Sequence, residues 1–348
     1  MTALSGMRPI VDFDGLASIA SPGARLDEIR RVTPRFRDRF ASEGAATALR
    51  TLPLATFPYP QKYGLGYVSL HPAPYAMISH RCHLVRYRDW DGVPRTLLFN
   101  PTDTERAKAA PFFAQLIAFY GSAISEGLLS TTQGSVLQHL SWLSLPPEAI
   151  DYIAFDHLHV QDLRGWLSEG LLPRAILLVQ ERELRGAQRL HPLQCHWYVP
   201  GGVDGLDPDR VLLLRGDVSL GPGVALLATP GHTWGNHTLA VHHGGGRVTC
   251  VSENGISADN YAPRASRIPG LARHARERGV EVVMNANTLE GSLDQYTSMV
   301  KEQLVAGPLR EAPDFYDVMP SSELTMSLLA LGLRATFEHR EVAFGDLG

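Results

Sequence analysis

The chain has 348 residues, 44% of them hydrophobic, which is enough to bury a large core as one big α/β domain or two smaller ones. A net charge of −4 without any lysine/arginine cluster excludes a nucleic-acid footprint. No apolar run approaches the roughly 18–20 residues that a membrane span requires, which excludes that class too.

The three cysteines, Cys82, Cys195 and Cys250, are odd in number, widely separated and without a Cys-x-x-Cys pair. They read as buried thiols in a reducing compartment, and with no basic-then-apolar start the expectation is a cytoplasmic protein. Residues 1–50 are charged and helix-prone, with Leu26-Asp27-Glu28-Ile29-Arg30-Arg31-Val32 as one amphipathic stretch. They read as an N-terminal helical extension packed on a main domain over 51–348, or as a contact that builds a homodimer. Strand texture begins at Thr51. An irregularly alternating run over 76–87 turns at Asp89-Trp90-Asp91-Gly92 and returns as Arg95-Thr96-Leu97-Leu98-Phe99-Asn100, a hairpin. Helical spacing follows over 104–129 and 136–143. His139 lies on the apolar face of the second stretch and reads as a core histidine; the same holds for His80 and His83 on their strand.

Ile150-Asp151-Tyr152-Ile153-Ala154-Phe155 is a buried-type strand, followed by a short helix opening at Asp162. A second strand runs over 175–180, a polar helix over 181–190, and a turn-rich loop contains Trp197-Tyr198-Val199-Pro200-Gly201-Gly202. Strands are expected at 211–214, 224–227, 238–242 and 247–251, the last two joined through Gly244-Gly245-Gly246. A helix over 268–279, a strand over 280–284 and a helix over 292–305 complete the pattern, and the tail beyond Pro308 has no clear period. Strand runs in two groups with helices between and after them suggest two packed sheets covered by helices.

Two short motifs carry the chemistry. His157 and His159, one residue apart after a buried strand, present two imidazoles on one side of an extended backbone, as a transition-metal site requires. Some seventy residues on, His232 in the turn Thr229-Pro230-Gly231-His232 would complete a three-nitrogen site. The competing reading is three unrelated surface histidines, and the two motifs in this order weigh against it.

With these motifs the sequence resembles the metallo-β-lactamase superfamily, in its branch of lactonase-like hydrolases. The resemblance spans residues 51–306 and rests on four features in order: Asn100-Pro101-Thr102-Asp103 after a strand, His157-x-His159, Thr229-Pro230-Gly231-His232-Thr233-Trp234-Gly235, and a strand ending at Ser252-Glu253. It implies a four-layer αββα sandwich. The family pattern is His-x-His-x-Asp-His, and this chain departs from it: Gln161 replaces the aspartate and Asp162 the histidine of the second metal. Asn287 stands where a late histidine ligand is expected, and Glu253, or Asn254 one residue on, replaces the bridging aspartate. The resemblance therefore implies an intact first site of His157, His159 and His232, with Glu253 and Asp162 as further metal ligands and a depleted second site. Gln161, Asn254 and Asn287 are then substrate contacts or weak second-site contacts. One or two divalent ions are expected, zinc at the three-histidine site, with iron or manganese as alternatives.

The implied chemistry is hydrolysis of an ester, lactone or thioester of a small-molecule substrate by a metal-bound hydroxide. Asp162 or Glu253 would move the proton and Tyr198 would donate to the oxyanion. Plainer readings stand beside these roles. Asp162 reads equally as a helix cap, Tyr198 as packing, and Asn285 and Asn287 as turn-stabilising amides. Two other functions fit the altered ligand set: an iron-dependent oxygenase or oxidoreductase on the same fold, and a degenerate, non-catalytic small-molecule binder.

Overall fold

A computed structural model describes residues 5–121, 130–287 and 291–347. Its centre is a pair of face-to-face sheets. The first runs in the order β1 (Arg8–Pro9), β9 (Val218–Gly221), β10 (Val224–Ala228), β11 (His237–His242), β12 (Val248–Ser252), β13 (Val318–Pro320). All its pairs are antiparallel except β12 with β13. The second runs β15 (Ala343–Gly345), β2 (Ala48–Pro60), β3 (Tyr75–Arg88), β4 (Pro94–Phe99), β6 (Tyr152–Ala154), β7 (Ile176–Gln180), β8 (Val211–Leu214). There β5 (Thr131–Thr132) adds to β2 and β14 (Ser322–Thr325) adds to β3. The strands from β4 to β8 are parallel, and the segments between them include helices.

Side-chain alternation explains the layers. Leu97 and Phe99 point between the sheets, where they meet Leu226, Leu239 and Val251, while Leu98 points to the opposite face. A strand buried on both faces reads as an unbroken apolar run, and Thr96-Leu97-Leu98-Phe99 does. Leu98, with Ile153 and Leu177, is covered by the helices that carry Phe112, Leu140, Trp166 and Leu184. On the far side, Ala225, Leu227 and Cys250 of the first sheet are covered by Phe36 and Phe40 of the helix Pro22–Glu43 and by Met299 and Val300 of the helix Ser292–Ala306. The layers are therefore helix, sheet, sheet, helix.

The N-terminal 50 residues supply an edge strand, β1, and one outer helix packed on the first sheet. Two segments differ from their sequence reading. Residues 280–284 form no strand; Val282 and Val283 are buried, but the backbone is irregular and bonds to Asn260. The tail, in which no period was visible, supplies β13 to one sheet and β14 to the other, with only Ser321 between them. Part of the helical expectation over 104–129 lies outside the described residues; helices occupy Thr104–Ala107 and Pro111–Tyr120. Among the described residues no helix is long and apolar enough to cross a membrane.

Candidate metal centre

The carboxyl ends of β4, β6, β10 and β12 open into one edge of the sandwich, where they deliver Asn100, Asp156 to His159, Thr229 to His232, and Glu253. His157, His159 and His232 converge there. One ring nitrogen of each lies within 4.8 Å of the others, and all three are buried. The ring centroids are 4.5 Å (His157–His159), 4.6 Å (His157–His232) and 5.2 Å (His159–His232) apart.

A carboxylate fixes the first ring. Asp156 Oδ1 accepts the Nδ1–H of His157 at 2.7 Å and its backbone N–H at 2.8 Å, so the lone pair of His157 is on Nε2. Asp156 Oδ2 accepts from Asn100 Nδ2 at 3.0 Å and from the Ser321 hydroxyl. Burial alone would raise this carboxyl, but His157, Ser321 and Asn100 outweigh it and hold it well below the usual carboxylate range. Asn100 sits at φ +59° and also accepts the Asp156 N–H, so the end of β4 is shaped to hold Asp156. His232 is oriented by its Nδ1 contact with the Asn285 carbonyl at 3.4 Å.

Burial, reinforced by the neighbouring imidazoles, keeps His159 well below its ordinary value and pushes His232 down to about 3. Both rings are thus neutral at physiological pH, as ligation of a cation demands. Among the described residues neither ring nitrogen of His159 has a hydrogen-bond partner, although both are buried. A buried, unsatisfied imidazole is costly in a folded protein. Three convergent nitrogens, one of them backed by a carboxylate, form a donor set that fits a divalent transition metal.

The two histidine loops are tied to each other by Glu183, at the start of the helix Glu181–Gln188. Its buried carboxylate accepts from the Leu158 N–H (2.8 Å), the Thr233 hydroxyl (2.6 Å) and the Gly235 N–H (3.1 Å). No sequence motif marks this role, because its partners lie 25 to 52 residues away. Asp156 was equally unassigned, and its place directly before His157 was the available signal.

The other expected site residues divide. Glu253 is buried at the cavity wall and is held by Ser322, but it stands outside the three-histidine group. Burial, then the Asp156 charge, raises its carboxyl well above the usual range. Asp162 is not brought to the histidines either. Both its oxygens face Arg164, at 2.9 and 2.6 Å, Arg106 lies 3.6 Å away, and Oδ1 also caps the Arg164 N–H. Two guanidiniums neutralise it where a ligand was expected, and they hold its carboxyl down against the effect of burial. Tyr198 is buried edge-on against His159, 4.9 Å between ring centres, and Trp197 is the loop aromatic that lines the cavity. Asn254 is turned away from the cavity, its amide donating to Glu302 at 2.8 Å. Gln161 and Asn287 do line the cavity, and each has a buried side-chain oxygen without a partner among the described residues. Asn285 accepts the Tyr59 hydroxyl at 2.8 Å.

The cavity above the histidines has a volume of about 320 Å³. Its floor is polar. Phe57, Pro58, Ile78, Phe113, Leu116 and Trp197 supply its apolar lining, and Glu105 and Lys108 also line it.

No protein-family model matches the chain. An N-acyl homoserine lactonase from a Bacillus species is 27% identical over 158 residues, which span 44% of this chain and 59% of the lactonase's own length. Among solved structures, a dizinc quorum-quenching lactonase with its product superposes with a TM-score of 0.50 at 12% identity, covering 87% of this chain and 97% of the other. A probable metal-dependent hydrolase from Staphylococcus aureus gives a TM-score of 0.50 at 13% identity, covering 75% of this chain and 84% of the other. The two sheets, their helical covers and these neighbours agree: the chain has the metallo-β-lactamase fold.

Proposed function

We propose that this protein is a metal-dependent hydrolase of small molecules that carry an ester or lactone carbonyl and an apolar portion. The observation that carries the reading is the convergence of three buried imidazoles in a cavity whose lining is largely apolar. The similarity to an N-acyl homoserine lactonase supports a lactone as the first substrate to test. A divalent cation held by His157, His159 and His232 would supply Lewis-acid polarisation of a carbonyl and lower the pKa of water.

The rest of the chemistry belongs to the chain. Asp156 holds His157 in the tautomer that aims Nε2 at the cavity. Trp197 and Phe57 exclude water from the apolar half and orient the substrate's hydrocarbon portion. Glu253, fixed by Ser322 and facing the cavity, is the carboxyl we assign to proton transfer toward the leaving oxygen. Asp162 has no part in this account, since Arg164 and Arg106 engage it. The oxidative alternative rested on a carboxylate-rich second site, and the engagement of Asp162 removes one of its two carboxylates.

The test is turnover. Wild-type protein supplied with zinc or manganese is expected to hydrolyse lactones and aryl esters. His159→Ala is expected to lose at least a thousandfold in kcat/KM with its circular dichroism spectrum unchanged. Undiminished hydrolysis by His159→Ala would refute the reading.

A further inference from the structure

The helix Ser292–Ala306 lies along the segment that carries His232, and the face it turns to that segment is polar and buried. Met299 and Val300 of the same helix pack on apolar neighbours, as a helix that only covers a sheet would do throughout. Gln295, Ser298 and Glu302 recur at helical spacing, and with Lys301 they meet residues 228–232 one after another. Lys301 Nζ donates to the Ala228 carbonyl at 3.2 Å, while its partner Asp217, 2.6 Å away, accepts the Ala228 N–H at 2.8 Å. Glu302 accepts from Thr238 Oγ1 at 2.5 Å, so the Thr229 hydroxyl, 2.8 Å from that oxygen, donates to Thr238. Ser298 Oγ donates to the Pro230 carbonyl at 2.8 Å. Gly231 lies against the main chain of Gln295. His232 comes last, and Gln295 reaches it through one intermediary.

Gln295 Nε2 donates to the Asn285 carbonyl at 2.8 Å and to the Asn254 carbonyl at 3.2 Å. The Asn285 carbonyl is the group that meets His232 Nδ1. A carbonyl can only accept, so His232 carries its proton on Nδ1 and its lone pair on Nε2. The same peptide is held from its other side, where the Asn285 N–H donates to the Asn254 carbonyl at 2.8 Å. Gln295 is itself buried. A buried amide is costly unless its hydrogens are used, and where both are used it fixes its partners in direction as well as in distance.

We infer that Gln295 is a positioning residue of the metal centre. It holds the Asn285 carbonyl where that oxygen takes the His232 Nδ1 proton, and so keeps the His232 lone pair on Nε2 and the ring in one orientation. The inference deepens the metal-centre reading and rests on it, but it does not depend on turnover.

The same helix supplies a matched control. Gln303 is also buried, and its Nε2 also donates to two main-chain carbonyls, those of Tyr261 and Glu281, which belong to neither histidine loop. Zinc affinity of the full chain, read by competition with a chromogenic chelator, is expected to fall at least about tenfold in Gln295→Met and less than about threefold in Gln303→Met. Both variants are expected to lose a similar amount of thermal stability. Imidazole nitrogen NMR of the metal-free protein is expected to show His232 protonated on Nδ1 in the wild type and in Gln303→Met, and a mixture of tautomers in Gln295→Met. A zinc affinity of Gln295→Met no weaker than that of Gln303→Met, or an unchanged tautomer in Gln295→Met, would overturn the inference. So would a His232 proton on Nε2 in the wild type, a result that decides even where the methionine variant does not fold. A wild type that binds no zinc would overturn the metal-centre reading and the inference together, whereas wild-type binding left intact by Gln295→Met would overturn the inference alone.

Discussion

At the scale of single residues, the centre depends on groups that never face the cavity as ligands. Asp156 is the clearest: it accepts from His157, Asn100 and Ser321 and so sets one tautomer and one ring orientation. Replacing such a carboxylate partner of a metal-bound imidazole ordinarily lowers metal affinity about 10–100-fold. Asp156→Asn is therefore expected to lower affinity within that range, as read by competition with a chromogenic chelator; an unchanged affinity would show that His157 needs no orienting group. Glu183 acts on two loops at once, through Leu158, Thr233 and Gly235. Glu183→Gln keeps the shape but places an amide where three donors point. It is expected to cost about 1–3 kcal/mol in urea unfolding and to speed metal loss to a chelator. Asp162 teaches the converse lesson. A carboxylate two residues past His-x-His-x looks like a ligand in sequence, yet Arg164 beside it and Arg106 from a distant helix decide its fate. Position along the chain does not report which cation is nearer.

At the scale of elements, the His232 turn shows how tightly a loop can be specified. Gly231 has φ +134°, and a Cβ there would fall 2.1 Å from the backbone nitrogen of Gln295, at the start of the helix Ser292–Ala306. Neither the backbone nor the neighbour can yield cheaply, since the contact is with main chain. Gly231→Ala is expected to shift the helix or the turn, to lower the midpoint of thermal unfolding by several degrees, and to reduce metal retention more than Gly186→Ala, where a Cβ meets nothing within 4 Å. Equal effects of the two changes would contradict this reading. The His157 turn carries its own strain. Val160 lies at φ +57°, a conformation that β-branched residues rarely adopt, and its N–H is held by the Trp197 carbonyl at 2.7 Å.

Elements of this kind also mark what was legible in the sequence. His157-x-His159 and Thr229-Pro230-Gly231-His232 were readable because each motif is local and its residue types have one dominant chemical use. Two packed sheets with helical covers were readable because the strand runs fall in two groups with helices between and after them, and the αββα order followed from the family resemblance. The tail strands were not. β13 has three residues and β14 four, too short for alternation to emerge, and their pairing with β12 and β3 is set by distant sequence. Residues 280–284 failed in the opposite sense: an apolar run was present, but it packs as irregular chain bonded to Asn260.

At the scale of the whole molecule, the tail closes the sandwich over the site. Ser321 reaches Asp156 and Ser322 reaches His80, so the segment joining the two sheets is also part of the cavity floor. Glu323, next in sequence, is buried and bonded to Arg81 at 2.6 Å and to His339 Nδ1 at 2.8 Å. Burial raises its carboxyl, but His339 and Arg81 more than offset this, so its folded value lies below its ordinary one. A depressed carboxylate contributes stability above its unfolded value, about 4.3, and loses that contribution as pH falls through the folded value. Glu323→Gln is expected to destabilise the protein by about 3 kcal/mol at neutral pH, since it leaves Arg81 without its partner in a mostly buried site. The gap between variant and wild type should narrow as the pH falls below about 4. A gap that stayed constant into acid would show that the ion pair contributes nothing.

The central claim is that one divalent cation is held jointly by imidazoles from two loops of this sandwich. Metal content per chain, determined by plasma mass spectrometry after zinc loading and gel filtration, addresses it most directly when wild type and His159→Ala are compared side by side. The account predicts about one equivalent in the wild type and next to none in the variant, with both proteins folded. Equal metal in the two proteins would contradict it.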